Sequence, residues 1–589
     1  MKWPIIKNQK LRTCLVILFA LFFTIAIDRY FFPDQRTINT SVLCVFSFAI
    51  SIYFQLLSHA KKYQKFKTSA FFLSLLFSIS LVVGRAVYDT SSISPLLGWG
   101  NTTLAVINII GFTTTFTALL QIVFRFFSVI EKRLDKSSLP RFMSSKKAFY
   151  LLWLIFFLGF VPAFIAHFPG ILSYDYINQT EQALSGLYTT HHPPLHTFIW
   201  SICLHLGEAI NVYPTVIYEI IQACFISFVF ASIIKFLINR RINKYIIYVS
   251  IIFFLINPAI SVFSLTMTKD VFFSGFLALF ILEITKLISS PKEYLSKKPN
   301  IILYGLFVVG TCLFRNNAIY IFIVFTPILI ILSKNCRKKI AIISIFPIVL
   351  YLFGTFSVNK VFHIQNGSPG EMLSVPMQQI ADVLYNDEYA LTDDQKASFS
   401  EYIPIEKVMN NYNPRISDPI KGYFDGYKVK DNLFSFIKLW AKIGLQYPVN
   451  YISAFLSLNL PSWYPDAYPV DIYHPAIYIE NRIQDDKSQS IVPVLYDYYS
   501  IVSQNGYRDI PLVSTFFSIS TCIWVVLLSL FSALSRGCKK SIIALLPIIL
   551  LWLTYLLGPV SIFRYYYPIM ILYPLFLVII IQPKKLFLE

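Results

Sequence analysis

Pro169–Thr197, PGILSYDYINQTEQALSGLYTTHHPPLHT, is a polar stretch set between long apolar runs. It carries an acid (Asp175), three amides (Asn178, Gln179, Gln182), a second acid (Glu181) and three histidines (His191, His192, His196). The run that overlaps its end decides the fold. Residues 194–211 are apolar enough to be counted as a membrane span, yet the run opens on Pro193-Pro194 and carries His196 and His205. Whether it crosses sets the side on which every later loop lies.

The surroundings are those of a membrane protein. Of 589 residues 56% are hydrophobic and only 14% charged, against roughly 25% charged in soluble domains. Fourteen apolar runs, from 11–28 to 564–582, approach the length of about 20 residues that crosses a bilayer. The net charge of +19 does not signal nucleic acid, because the Lys and Arg sit in short clusters between apolar runs. The eight cysteines show no CxxC pair and avoid the long polar stretch 359–509, so neither a disulfide framework nor a cysteine metal site is expected. The N-terminal basic cluster and the apolar run after it read as a retained signal-anchor helix.

Charge then orders the spans, since basic clusters mark the cytoplasmic side. With the N-terminus in the cytoplasm, the clusters at 61–67 and 132–147 fall inside and the loop beginning at 169 falls outside. If 194–211 crossed, the cluster at 235–244 and all later ones would face outward. If it dips into the outer leaflet without crossing, all of them face inward. The expected fold is therefore an all-α polytopic membrane protein with about 14 transmembrane helices and both termini cytoplasmic. A re-entrant or juxtamembrane helix is expected at about 194–211 and a small mixed extracytoplasmic domain at 359–509. The parts are an N-terminal four-helix extension (1–147), a catalytic core (148–358, first outer loop 169–213), the extracytoplasmic domain, and C-terminal helices (510–589). A bacterial plasma membrane suits the composition.

On this topology four outer turns bring polar groups to one face: the first loop, then Thr268-Lys269-Asp270, then Arg315-Asn316-Asn317, then Arg564 to Tyr567. Arg315 and Arg564 break the positive-inside pattern, and ionisable groups at such depth face a cavity or one another. Taken singly each has a plainer reading. Lys269 and Asp270 could be interfacial, and Asp175 could cap a helix over 176–186. The three histidines are expected to cap the next helix and orient a phosphate.

The order of an outer-loop acid, a helix opened by HHPPLH, a TKD turn and a late Arg-Tyr-Tyr-Tyr-Pro turn resembles the GT-C superfamily of polytopic glycosyltransferases. HHPPLH is similar to the HPPL element of its protein O-mannosyltransferase and aminoarabinose transferase branch. The acid, Q-x-x-Q, Gly and HHP order also looks like a family of uncharacterised bacterial membrane proteins near that superfamily. The chain departs from the pattern in two places. It has Asp175-Tyr176 where the mannosyltransferases have an Asp-Glu pair, and it has no DxD in this loop.

The resemblance implies a polyprenyl-phosphate-linked sugar donor and an extracytoplasmic glycan, lipid or protein acceptor. It makes Asp175 the catalytic base, Asp270 a second acid of the catalytic site that helps bind acceptor or phosphate, or a metal, and Arg564 the arginine on the lipid phosphate. Gln179, His191, His192, His196, Lys269, Arg315, Asn316 and Tyr566 complete the expected substrate-binding set. A divalent cation, Mg²⁺ or Mn²⁺, stays open, with Asp175 and Asp270 as its ligands if one is used. Two readings from other classes stand beside this one: a transporter or flippase for a lipid-linked saccharide, and a non-catalytic scaffold of the cell envelope.

Overall fold

The computed structural model describes residues 9–31, 38–134, 140–367, 369–387, 389–467, 477–479, 482–484, 490–503, 514–515 and 518–588. Lys2 and Lys7 of the N-terminal cluster, Lys136, and most of 468–489 lie outside them. The chain is a helical membrane protein. Among the described residues seven helices are long and apolar enough to cross a bilayer, or up to nine if each of two bent pairs is one span. Five more apolar helices, Val42–Ser58, Lys298–Phe314, Ala318–Leu332, Ile519–Ser535 and Lys540–Tyr555, have 10–17 residues. That is short of the about 20 that span the hydrocarbon core unaided. The strands among the described residues form one hairpin, Ile477–Ile479 against Arg482–Gln484.

Proline sets the breaks. Lys244–Ile256 and Pro258–Leu265 meet at 56°, where Pro258 removes an amide and Asn257 restarts the helix by accepting from Ile260 N. Phe563–Met570 and Tyr573–Ile581 meet at 49°, with Pro574 opening the second piece. The segment that decides the topology is a helix over Pro194–Ile210, and it is not among the spanning candidates. His196, Trp200, Cys203 and Gly207 form its buried stripe, and Ile202, Leu206 and Ile210 its exposed one.

Contacts divide the chain into two compact units. The first holds Met1–Asp135, Leu373–Tyr468 and Leu527–Cys538. In it Gln9–Phe31 and Trp99–Leu134 approach so closely at Gly111 that a Cβ there would stand 2.4 Å from the Phe22 carbonyl carbon. Small residues permit this kind of backbone contact between membrane helices. Gly111→Ala is expected to destabilise this unit by about 1–3 kcal/mol, because the obstacle is backbone and overpacking forces it to shift. A fall in the thermal midpoint of the purified protein measures it.

Within the same unit, residues 373–467 have a core of their own around Met377, Ile380, Phe399, Phe436 and Ile443. The helical run expected at 434–457 is present as Leu433–Gln446 and Pro448–Leu458, broken at Tyr447. Leu460, Tyr464 and Ala467 pack with Phe23, Leu81, Val87 and Phe112 of the N-terminal helices.

The second unit holds Lys136–Met372, Pro469–Val526 and Lys539–Glu589. Its axis is Lys269–Ser289. In this helix 89% of the apolar window is buried, against 28% in Lys146–Ala166 and in Arg337–Val361, which puts it at the centre and those two at the edge. It packs on Pro214–Asn239, Lys298–Phe314, Lys540–Tyr555 and Phe563–Met570.

Candidate active site

The site grows from the N-terminal end of that central helix. Thr268 is extended, and its hydroxyl accepts from Asp270 N, starting the helix at Lys269. The first loop is laid against this start by Met267 N donating to Ile171 O (2.8 Å) and by Ser173 Oγ donating to Met267 O (2.8 Å). Buried Glu219 accepts from Ile171 N at 2.6 Å. These bonds bring Asp175 to a residue 94 positions away: Lys269 Nζ donates to its carboxylate at 2.9 Å. Arg564 adds a second contact to the same oxygen at 3.2 Å. Asp175 stands at the head of Tyr176–Ser185 without capping it by its side chain, so the capping role is excluded. Gly186, at φ 71, ends that helix in the left-handed region.

The second carboxylate is deeper. Asp270 has no exposed surface and is hydrogen-bonded by Arg315. Arg564 Nε lies 3.9 Å from its other oxygen, too far for a hydrogen bond. The Arg315 guanidinium sits against the rings of Tyr565 (4.6 Å) and Tyr555 (4.8 Å), and Arg564 against Tyr565 (5.2 Å). Arginine prefers this packing because its charge is delocalised and weakly hydrated. Three cations thus face two carboxylates, and one positive charge is in excess. The Nε–H groups of Arg315 and Arg564 are buried with no acceptor among the described residues, the kind of orphaned donor that an anion or water would satisfy.

His192 reaches the cluster from the other side, its Nδ1 2.7 Å from Lys269 Nζ. Lysine can only donate, so Nδ1 accepts and the ring proton is on Nε2. Burial, reinforced by the Lys269 ammonium, pushes His192 down to about 3. Burial alone would raise the Asp175 carboxyl, but Arg564 and Lys269 outweigh it and hold Asp175 well below the ordinary carboxylate range. At neutral pH the histidine is therefore neutral and the aspartate ionised.

These two groups make stability depend on pH. A histidine depressed in the fold is protonated first in the unfolded chain, so its contribution is lost as pH falls from about 6.5 toward 3. Asp175 keeps its contribution until pH drops below the unfolded carboxylate value of about 3.9. The thermal midpoint is expected to fall between pH 7 and pH 4.5 by the equivalent of about 2–3 kcal/mol for this group. The fall should be shallower in His192→Gln, with the remaining slope due to other buried histidines.

Other expected residues take different places. Gln179 and His196 are fully buried in a hydrogen-bonded chain. Gln222 donates to Ser264 O (2.9 Å) and Thr266 O (2.6 Å), so its Oε1 faces Tyr218 and accepts from that hydroxyl at 2.7 Å. His196 Nε2–H therefore donates to Tyr218 Oη (2.7 Å), and Nδ1 accepts from Gln179 (2.8 Å). These groups hold the loop to the helix bundle and use both ring nitrogens of His196, while Gln179 Oε1 is buried with no partner among the described residues. His196 does not cap its helix, which starts at Pro193 without a side-chain cap.

His191 is exposed beside His192, and Asn316 is spent on Thr190 O at 3.1 Å. Tyr566 is buried with its ring against Tyr555, while Tyr565 is the neighbour that meets the arginines. Both carboxylates are engaged by side-chain cations, and among the described residues no three His, Cys, Asp or Glu gather as metal ligands.

The fold and cluster define a helical membrane protein whose most buried helix begins at a cation-rich carboxylate pair. The chain belongs to DUF6020, a family of unknown function, whose model matches residues 183–586. Asp175 and Gln179 stand just before that match and the other site residues within it. No curated protein and no solved structure matches the chain at significance.

Proposed function

We propose that the chain is a membrane glycosyltransferase of GT-C type, transferring a sugar from a polyprenyl-phosphate carrier to an acceptor in the cell envelope. One observation carries this reading: three cations surround two carboxylates, and two of those cations present buried, unpartnered N–H donors. A phosphate on a lipid carrier supplies the charge and acceptors that such a cluster lacks, and arginine grips phosphate bidentately. The fourteen-span topology belongs to the same proposal, with the bent pairs and shorter helices as spans, 194–210 dipping into the outer leaflet, 359–509 outside and both termini inside a bacterial plasma membrane.

The clamped state of Asp175 gives the mechanism its order. A carboxylate held far below its ordinary pKa is a poor base, because base strength falls with pKa. When a donor phosphate draws Lys269 and Arg564 toward itself, Asp175 loses its counter-charges and becomes basic where it is needed. It then takes the proton of the acceptor hydroxyl as the oxygen attacks the anomeric carbon. The bond to phosphate breaks with inversion. Arg564, Arg315 and Lys269 stabilise the charge that grows on the leaving phosphate.

The test is glycan and lipid analysis of a deletion strain. Loss of an envelope sugar with accumulation of its polyprenyl-phosphate form supports the reading. Unchanged glycans and unchanged lipid-linked sugars overturn it. The two bent helix pairs favour a second reading, transport of a lipid-linked saccharide, since broken helices are common at transporter sites. Movement of labelled lipid across proteoliposomes without any glycosidic product would select it.

A further inference from the structure

The first unit contains a cavity of about 160 Å³ where the ends of Gln9–Phe31 and Lys67–Thr90 meet the beginning of Trp99–Leu134. Its rim carries Arg29, Arg85 and Asn101, and among the described residues no carboxylate lines it. The wall from Trp99–Leu134 is one stripe, Asn101, Leu104, Ala105, Asn108 and Phe112, at helical spacing. At about 1.5 Å per residue it runs from a polar end to an apolar depth. Ala26 and Val82 continue the apolar part on the other two helices. Asn108 breaks that gradient, and its Oδ1 is buried with no hydrogen-bond partner among the described residues.

The arginines are not explained by topology. Arg85 lies over the ring of Tyr30, so the two helix ends share one level, and the lysines at 61, 62, 65 and 67 are at the opposite end of the 24-residue helix Lys67–Thr90. Basic residues away from the basic side of a helical membrane unit call for another cause. Arg85 is paired with Asp89 at 2.8 Å. Arg29 is exposed and has no ion pair among the described residues. Tyr30, between them, is held by Asp466 and, at 2.9 Å, by Tyr464.

We propose that this cavity binds an anionic phospholipid with a hydroxyl-bearing, phosphoglycerol-type headgroup. The phosphate sits between Arg29 and Arg85, a headgroup hydroxyl donates to Asn108 or Asn101, and one hydrocarbon chain follows the apolar wall toward Phe112. A charged rim above an apolar slot matches an amphiphile better than a free ion, and the Asn108 oxygen, unpartnered among the described residues and set in the apolar wall, is an acceptor for a headgroup hydroxyl. The site belongs to the first unit, shares no residue with the Asp175 cluster and does not depend on its chemistry.

The test uses the full chain in nanodiscs of dioleoylphosphatidylcholine with one fifth dioleoylphosphatidylglycerol, followed by detergent extraction and mass spectrometry of retained lipid. Wild type is expected to retain phosphatidylglycerol over phosphatidylcholine. Arg29→Gln should reduce that preference about tenfold, a fair value for one charge-assisted contact. Because Arg29 is exposed and has no ion pair among the described residues, this substitution leaves the fold intact. Ala105→Phe, which fills the slot, should remove the preference. Equal retention in wild type and Arg29→Gln overturns the proposal. Glycerol 1-phosphate and inorganic phosphate distinguish the source: if either raises the thermal midpoint equally in wild type and Ala105→Phe, the ligand is a soluble phosphate and the lipid assignment fails.

Discussion

On the proposed glycosyltransferase reading, Asp175→Asn is expected to lower sugar transfer by about 10²–10⁴-fold, the usual worth of a positioned general base, while leaving binding of the polyprenyl-phosphate donor unchanged or tighter. The two halves of that result have one origin. In the resting protein Asp175 occupies Lys269 at 2.9 Å and Arg564 at 3.2 Å. The amide keeps the shape and loses the charge, so these cations reach the donor phosphate without competition. Single-turnover transfer and donor affinity, measured on the same purified variant, separate the two effects. Transfer at the wild-type rate removes Asp175 as the base. Loss of donor binding together with transfer would instead make it a structural counter-ion.

Arg315→Met is the substitution with the largest expected cost in stability, about 3–5 kcal/mol, because it leaves one member of a buried ion pair uncompensated. Asp270 has no exposed surface, and its remaining cation is 3.9 Å away. Adding Asp270→Asn in the same chain should recover a large part of the loss, since the unpaired charge is then gone. Arg315→Lys should not, because the guanidinium lies against Tyr555 and Tyr565 and an ammonium is too strongly hydrated to replace it there. Thermal unfolding of the three variants in one detergent decides it. Additive losses in the double variant would show that the two side chains are not coupled.

Some of this is legible in the sequence, for definite reasons. Apolar runs announce themselves because every residue of a span must tolerate lipid. Lys269, Asp270, Arg315 and Arg564 are visible because a charge at the end of an apolar run is costly and so conspicuous. Their partners are not visible. Nothing local says that Asp175 meets Lys269 and Arg564, or that Asp270 takes Arg315. Tyr555 lies inside an apolar run, where an aromatic residue carries no mark of a cation beside it. Tyr565 and Tyr566 are adjacent and chemically alike, and only helix phase separates the one on the arginines from the one in the core. Likewise His196 reads as a ligand until Gln179, on the helix before it, and Tyr218, on the helix after it, are seen to use both of its nitrogens.

The packing of Leu460, Tyr464 and Ala467 with the N-terminal helices bears on how the chain can be cut. Tyr464 is wholly enclosed, and its ring stands where any side chain larger than hydrogen at Gly84 would have to go. A protein begun at residue 136 would keep the cation cluster but strip this surface of its cover. Such a truncated form should extract into detergent as a sticky, protease-sensitive species, cut first within 448–467. In the folded protein, helices within 9–134 thus cover a segment that the ribosome makes more than three hundred residues later.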